Sequence, residues 1–180
     1  MVYLGHEGEW SPWRAPAEED RRACGVRISV HDAWSIEDAT GWNGLRMMFC
    51  KEDDWYTQEM VEVAQKGDGD WWDWNMCPED QYIASAKIKY EDWLGVGRSP
   101  GNDDTAAVGL RFKCKSLDAS EESIQTVEAS SYGNWKSWTH YADGKFVSQA
   151  RARIDESTVG DQSGLNGLEF WNCPIEGAAS

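Results

Sequence analysis

Three segments of the chain alternate apolar and polar side chains with a period of two. The inward positions are Val26, Ile28 and Val30 in the first segment, Ala84, Ala86, Ile88 and Tyr90 in the second, and Phe146, Ser148, Ala150, Ala152 and Ile154 in the third. Such alternation is typical of antiparallel strands with one buried face. Basic side chains between these positions discourage edge-to-edge association. The pattern predicts an all-β protein.

Two further strands are predicted for each of these segments. One begins with a Gly-Leu pair and ends in Phe and Cys, at residues 44–50, 109–114 and 167–173. The other is short and apolar, at residues 2–4, 60–63 and 124–127. No segment has the period of a helix of useful length. Together with a segment that carries a tryptophan pair, described next, we expect about four strands per unit and about twelve in all.

A tryptophan pair marks each unit and reveals an internal repeat. The pairs are Trp10 with Trp13, Trp71 with Trp74, and Trp135 with Trp138, so that the first tryptophans lie 61 and 64 residues apart. A fixed period of this kind indicates repeated structure. We predict a single domain over residues 1–180, with repeat units at approximately 1–52, 53–118 and 119–175.

Two threefold all-β architectures fit such a repeat. A β-trefoil usually has shorter units, and its Gln-x-Trp marks are missing from this sequence. A β-prism packs three four-stranded Greek-key sheets around a threefold axis, and longer units suit it better. We predict a β-prism of three four-stranded Greek-key sheets with a pseudo-threefold internal repeat.

The repeated landmarks, from Gly8 to Cys173, resemble those of the vitelline membrane outer layer protein I family. They occur once in each unit: Gly-x-Trp-x-x-Trp, then an Asp-x-Thr/Ser loop that leads into Gly-Leu, Phe and Cys. The resemblance implies a β-prism, secretion, and a place in extracellular coats. It also implies an interaction with carbohydrate, including a proposed transfer activity on chitooligosaccharides.

The same resemblance implies a pairing for four of the five cysteines. It joins Cys24 to Cys50 and Cys77 to Cys114, and leaves Cys173 without a partner. Cys173 is then free or forms a disulfide-linked dimer of an otherwise monomeric protein. The alternative is that all five cysteines are reduced and buried as small apolar residues. An extracellular location favours the disulfides.

The composition limits the partners of the protein. The 180 residues include 17 basic and 32 acidic side chains, for a formal net charge of -15. A surface this negative repels phosphate backbones and anionic lipids, so we expect neither nucleic acid nor membrane as a partner. The acidity serves solubility or attracts cations, among them Ca²⁺. The cysteine and histidine spacing does not predict a metal site of the zinc type, and no other cofactor is expected.

Acidic residues in the loops before the Gly-Leu strands are candidate functional groups. They are Asp38, Asp103, Asp104 and Asp161. Threefold symmetry brings these loops to equivalent ends of the sheets. A glycan-active enzyme needs two carboxylates beside the glycosidic bond, but each aspartate also suits the capping of its own turn. Asp103 and Asp104 together could hold a cation.

Tryptophans that break the repeat are the candidates for stacking on sugars. They are Trp72, Trp42 and Trp93, whereas the six repeated tryptophans are interpreted as core. The leading hypothesis is a secreted extracellular-coat or matrix protein that binds glycans of the chitooligosaccharide type, or coat proteins, without catalysis. The alternatives are a glycan-active transferase or hydrolase with paired carboxylates, and a cation-dependent structural matrix protein. The three histidines lie in no nucleophile motif.

Overall fold

The structure is a computed structural model that describes residues 3–4, 8–30, 42–67, 69–90, 107–129, 133–139, 143–154 and 164–174. Within these ranges the chain forms strands and no helix. The strands are β1 (Tyr3–Leu4), β2 (Glu9–Trp10), β3 (Arg21–Val30), β4 (Trp42–Lys51), β5 (Asp54–Gln65), β6 (Asp70–Trp71), β7 (Asn75–Met76), β8 (Gln81–Tyr90), β9 (Ala107–Ser116), β10 (Glu122–Glu128), β11 (Asn134–Trp135), β12 (Lys145–Ile154) and β13 (Leu165–Pro174). None of the described segments has the helical length and apolarity that a membrane crossing needs.

The described strands form three antiparallel sheets of the same order. The first sheet is β5-β4-β3-β6, with β7 also paired to β3, the second is β10-β9-β8-β11, and the third is β1-β13-β12-β2. In each sheet two ten-residue strands lie at the centre. In the first two sheets a strand from further along the chain pairs with the first of them, and in the third sheet a strand from the start of the chain does so. This is Greek-key order, and the predicted β-prism of three Greek-key sheets is confirmed.

Each sheet combines strands from two successive sequence repeats. The strand of each tryptophan pair crosses to the long strand of the preceding repeat: Trp71 lies opposite Ser29 and Trp135 lies opposite Lys89. The third sheet has no following repeat, and the start of the chain completes it, with Trp10 opposite Arg153 and Tyr3 opposite Leu168. The pseudo-threefold arrangement therefore closes by pairing the two ends of the chain.

A bulge interrupts the same place in all three central strand pairs. The register shifts between Ala23 and Gly25, between Ile83 and Ser85, and between Val147 and Gln149. The extra residues are thus Cys24, Ala84 and Ser148. A bulge bends its strand and increases the local twist, which helps each sheet to curl around the shared core.

Apolar side chains on the inner faces of the three sheets form one hydrophobic core. Leu45, Leu110 and Leu168, one from each Gly-Leu strand, are fully buried. At one level of the core the three sheets meet through aromatic rings. Tyr82 contacts Trp55 at 5.4 Å and Phe146 at 6.1 Å between ring centroids, edge to face in both cases.

Two disulfides join the described cysteines as the resemblance implied. Cys24–Cys50 links the long strands of the first sheet, with a Cα–Cα distance of 5.8 Å. Cys77–Cys114 links the segment after the second tryptophan pair to the second sheet, at 5.7 Å. Cys173 is unpaired in the described part of the chain.

Candidate functional site

The sequence-predicted site residues fall into three groups in the structure. Trp72 is 38% exposed and Trp42 is 0% exposed. The remaining candidates lie outside the described residues; they are Trp93, Asp38, Asp103, Asp104 and Asp161. The carbohydrate-binding role of Trp72 and of these five residues stays a prediction.

The interpretation of Trp42 as a sugar platform is wrong. Trp42 lies opposite Val30 at the start of β4, which is the register place that Ala107 holds opposite Tyr90 in the second sheet. Both Trp42 and Ala107 are fully buried. Trp42 is therefore a large residue in an ordinary core position, and its ring offers no face to a ligand.

The strand ends that flank the three acidic loops lie together. The backbone of Gly164 packs against the carbonyl of Trp42, and the Tyr90 hydroxyl donates a hydrogen bond of 3.3 Å to Asn166 Oδ1. These contacts join the end of β8 and the starts of β4 and β13. These three described strand ends therefore lie at one end of the prism.

The repeated tryptophans are not core residues, contrary to the sequence interpretation. Trp13 is 38% exposed, and the other five are half-buried on the outer faces of the sheets. Basic side chains of the central strands lie over the first ring of each pair: Arg46 Cζ is 3.9 Å from the ring centroid of Trp71, Arg111 is 4.4 Å from that of Trp135, and Arg151 is 4.8 Å from that of Trp10. Each such contact contributes about 0.5–1 kcal/mol at an exposed site.

In the second and third sheets the second tryptophan of the pair contacts a side chain of β9 or β13 that lies beside the bulge, and the residue type at this position differs from sheet to sheet. Strand register places Met48, Lys113 and Trp171 at this position, opposite Gly25, Ser85 and Gln149. In the third sheet Trp13 and Trp171 meet edge to face, with 6.3 Å between ring centroids. Trp171 is 57% exposed. We call these two residues the Trp13–Trp171 platform.

A cleft lies next to the bulge in two of the sheets. The second-sheet cleft, of about 300 Å³, is lined by Ala84, Ser85, Lys113, Lys115, Ala119, Trp138, Thr139, Asp143, Gly144, Lys145 and Phe146. The third-sheet cleft, of about 330 Å³, includes Ser148, Gln149 and Cys173, with Glu18, Glu19, Arg21 and Arg22 at its border. In the first sheet a Cβ atom at Gly25 would overlap Met76 Sδ. Met76 therefore fills the corresponding space.

Three carboxyl groups in the described part of the chain, those of Asp54, Asp118 and Glu122, have lowered pKa values. Hydroxyl donors from Ser116 and Ser120 lower the pKa of Asp118 to about 2. The Thr57 hydroxyl lowers the pKa of Asp54, and a hydrogen bond from Lys113 lowers that of Glu122. A general acid for glycoside cleavage needs the opposite shift. These three groups are suited to turns and ion pairs.

The next question is whether the described side chains could bind a metal ion. Within them, no group of three or more His, Cys, Asp or Glu side chains is arranged to hold an ion. Asp103 and Asp104, the residues expected to hold Ca²⁺ if any do, lie outside the described ranges.

Sequence reasoning missed Trp171, which is the most exposed indole among the described residues. A signal was available, since the third Gly-Leu strand has a second aromatic residue directly after Phe170, where the second strand has Lys113 after Phe112. Register in the sheet then shows that Trp171 faces outward beside Trp13.

Three Greek-key sheets around a common core define a β-prism protein. The chain belongs to the vitelline membrane outer layer protein I family, whose sequence pattern matches residues 3–175. A search of curated protein sequences found no match.

Three solved structures share the fold; one is named as an agglutinin and two as lectins. Calystegia sepium agglutinin matches with a TM-score of 0.57 and 11% identity over 97% of this chain and 94% of its own. Calsepa lectin in complex with a biantennary N-glycan matches at 0.59 and 12%, over 97% and 94%. A prostate-specific WGA16 glycoprotein lectin matches at 0.51 and 8%, over 97% and 96%. At these identities the likeness concerns the fold alone.

Proposed function

We propose that this protein is a secreted component of an extracellular coat or matrix that binds carbohydrate without catalysing its conversion. The observation that carries the proposal is the Trp13–Trp171 platform. Two exposed indoles side by side on an outer sheet face form an apolar surface, and Trp171 has no aromatic counterpart in the other two sheets, where Met48 and Lys113 hold its place. Aromatic faces of this kind stack against the apolar faces of sugars.

Polar groups adjoin the platform and are placed to bind sugar hydroxyls. Arg151 lies 4.7 Å from the ring centroid of Trp13 and is paired with Glu169. Gln149 lies opposite Trp171 in the strand register. A site that combines an apolar surface with a few convergent polar groups is typical of ligand recognition.

Family and covalent structure support the extracellular part of the proposal. The family takes its name from an outer layer of the vitelline membrane. Two of the structural neighbours are named as lectins, one of them in complex with an N-glycan. The disulfides Cys24–Cys50 and Cys77–Cys114 suit an oxidising compartment.

The test is a glycan panel read by calorimetry and tryptophan fluorescence, with chitooligosaccharides and N-glycans as the first members. We expect Trp171→Ala and Trp13→Ala each to weaken binding about tenfold, because each removes a stacking ring. Trp72→Ala is the matched control, since Trp72 is as exposed as Trp13 but lies apart from the platform.

Three outcomes would contradict the proposal or a part of it. Binding that depends on Trp72 and not on Trp171 would move the site to the residue predicted from sequence. A panel without any binding partner would remove the carbohydrate-binding function. Sugar conversion detected in the same samples would overturn the non-catalytic assignment.

A further inference from the structure

The second-sheet cleft has a charge opposite to that of the protein as a whole. The chain carries a formal net charge of -15. Among the described residues, however, the charged side chains that line this cleft are Lys113, Lys115, Lys145 and Asp143. A local excess of lysines on an acidic protein creates a site that attracts anions at distances shorter than the screening length of the salt.

The lysines are held by the sheet rather than placed at random on the surface. Lys113 and Lys115 alternate with the buried Cys114 on β9, so both project from its outer face. One carboxylate, that of Glu122, serves both of them, at 3.1 Å from Lys113 and 3.5 Å from Lys115. Lys145 begins β12 on the other side of the cleft and forms no ion pair with a described residue. The cleft therefore has a surplus of ammonium groups.

The walls between the lysines are apolar and aromatic. Trp138 forms one wall, with Lys113 Nζ at 5.3 Å from its ring centroid, and Ala84, Ala119 and Phe146 form others. The Thr139 hydroxyl hydrogen-bonds to the sheet and not to the open space of the cleft. It donates to the Ala86 carbonyl and accepts from the Ala86 amide, both at 3.0 Å. The volume of about 300 Å³ lies at the lower limit of small-molecule sites. It suits a compact ligand with one anionic group.

We propose that the second-sheet cleft binds the anionic group of an acidic saccharide, with Lys115 and Lys145 as its cationic ligands and Trp138 as its apolar wall. The inference rests on the proposed carbohydrate-binding function and assigns a class of ligand to a second site. The equivalent places in the other sheets differ in chemistry: Trp171 replaces Lys113 in the third sheet, and Met48 replaces it in the first. The three sheets thus present different surfaces on one framework.

The experiment compares acidic saccharides with their neutral counterparts by calorimetry. Sialyllactose is paired with lactose, a sulfated disaccharide with its unsulfated form, and a uronic-acid oligosaccharide with its neutral analogue. We expect at least one acidic member to bind at least tenfold more tightly than its partner. The preference should shrink as salt rises from about 20 mM to about 500 mM, because the lysines are partly exposed and screened.

Variants assign the preference to the cleft. Lys115→Gln and Lys145→Gln should each weaken the acidic member about tenfold and leave the neutral member unchanged. Lys51→Gln is the matched control: its side chain is 31% exposed, as is that of Lys115, and it lies on another sheet. Equal losses in Lys51→Gln and Lys115→Gln would mean that net charge alone acts, and would overturn the inference.

The remaining outcomes separate this inference from the proposed function. If no acidic member is preferred while Trp171→Ala still weakens neutral glycans, the cleft assignment fails and the function stands. If the cleft binds acidic saccharides while the platform variants change nothing, the platform fails and the cleft stands. Inorganic sulfate alone binding as tightly as the acidic saccharide would show an anion site without sugar recognition, and would overturn the assignment.

Discussion

The first and third sheets share one framework but differ where the bulge occurs. In the first sheet, Cys24 is bonded to Cys50, and Met76 fills the space over Gly25. In the third sheet the same register places hold Ser148 and Cys173, and the Ser148 hydroxyl donates to Cys173 Sγ at 3.2 Å. One sheet is covalently linked and filled, whereas the other is open and has a cleft beside it.

This comparison identifies the partner that Cys173 lacks. Cys173 corresponds to Cys50, since they lie opposite Phe146 and Arg22 at the same distance from the bulge. Ser148 corresponds to Cys24. The third disulfide is therefore missing because serine occupies one half of its position. The third sheet is also the one that the start of the chain completes without a covalent link.

The largest expected effect is the loss of the first-sheet disulfide. Replacing both members, Cys24→Ser with Cys50→Ser, frees a loop with a sequence separation of 26 and should lower the free energy of unfolding by about 3 kcal/mol. Urea denaturation measures it. Cys173→Ser is the control, with an expected change below about 1 kcal/mol because its thiol forms no disulfide. Equal losses in both variants would show that the first sheet gains nothing from its covalent link.

The reverse change should strengthen the third sheet. Ser148→Cys places a thiol opposite Cys173 at the register of Cys24–Cys50, and we expect a disulfide that raises the free energy of unfolding by about 2 kcal/mol. Thiol titration would confirm bond formation, and urea denaturation would give the gain. In the Cys173→Ser background the same substitution should give no gain. Two free thiols after oxidation would show that the two sheets differ in backbone geometry as well as in sequence.

The smallest expected effect is a loss of stability at alkaline pH that comes from Tyr82. This residue contacts the first and third sheets through Trp55 and Phe146. Burial raises the pKa of Tyr82 to about 12, while an unfolded chain ionises tyrosine near pH 10. The folded state therefore holds the proton of Tyr82 more tightly than the unfolded state does. The protonated Tyr82 hydroxyl contributes fully to the free energy of unfolding below pH 10, and this contribution is lost as pH rises from about 10 to about 12.

Ionisation of Tyr82 should lower the free energy of unfolding of the wild-type protein by about 1 kcal/mol between pH 8 and pH 11. Tyr82→Phe lacks the ionising group and should escape that alkaline loss, although it forgoes the hydrogen bond that Tyr82 donates to the Lys51 carbonyl at 2.9 Å. Urea denaturation of both proteins between pH 8 and pH 11 is the measurement. Parallel pH profiles would place the Tyr82 hydroxyl in water and contradict the buried junction of the sheets.

Candidate residues were less predictable than the fold. Trp42 stands out in sequence because no other unit has a tryptophan there, but its strand position faces the core, and the residue type does not change that direction. The repeated tryptophans were interpreted as core because they recur. They recur instead because each pair adds to a sheet edge and packs with basic side chains of the central strands.

The strands, the threefold repeat and the family can be predicted from the sequence alone, since alternation, turn residues and the spacing of Trp and Cys are local properties of the chain. Which strands share a sheet is visible only in the folded protein. Pairing is non-local, and the tryptophan strand of each repeat joins the sheet of the repeat before it. That exchange brings the start of the chain onto the third sheet and sets Trp13 against Trp171. The sequence around Trp13 and the sequence around Trp171 do not indicate that the two residues meet, so the platform exists only once the chain has folded.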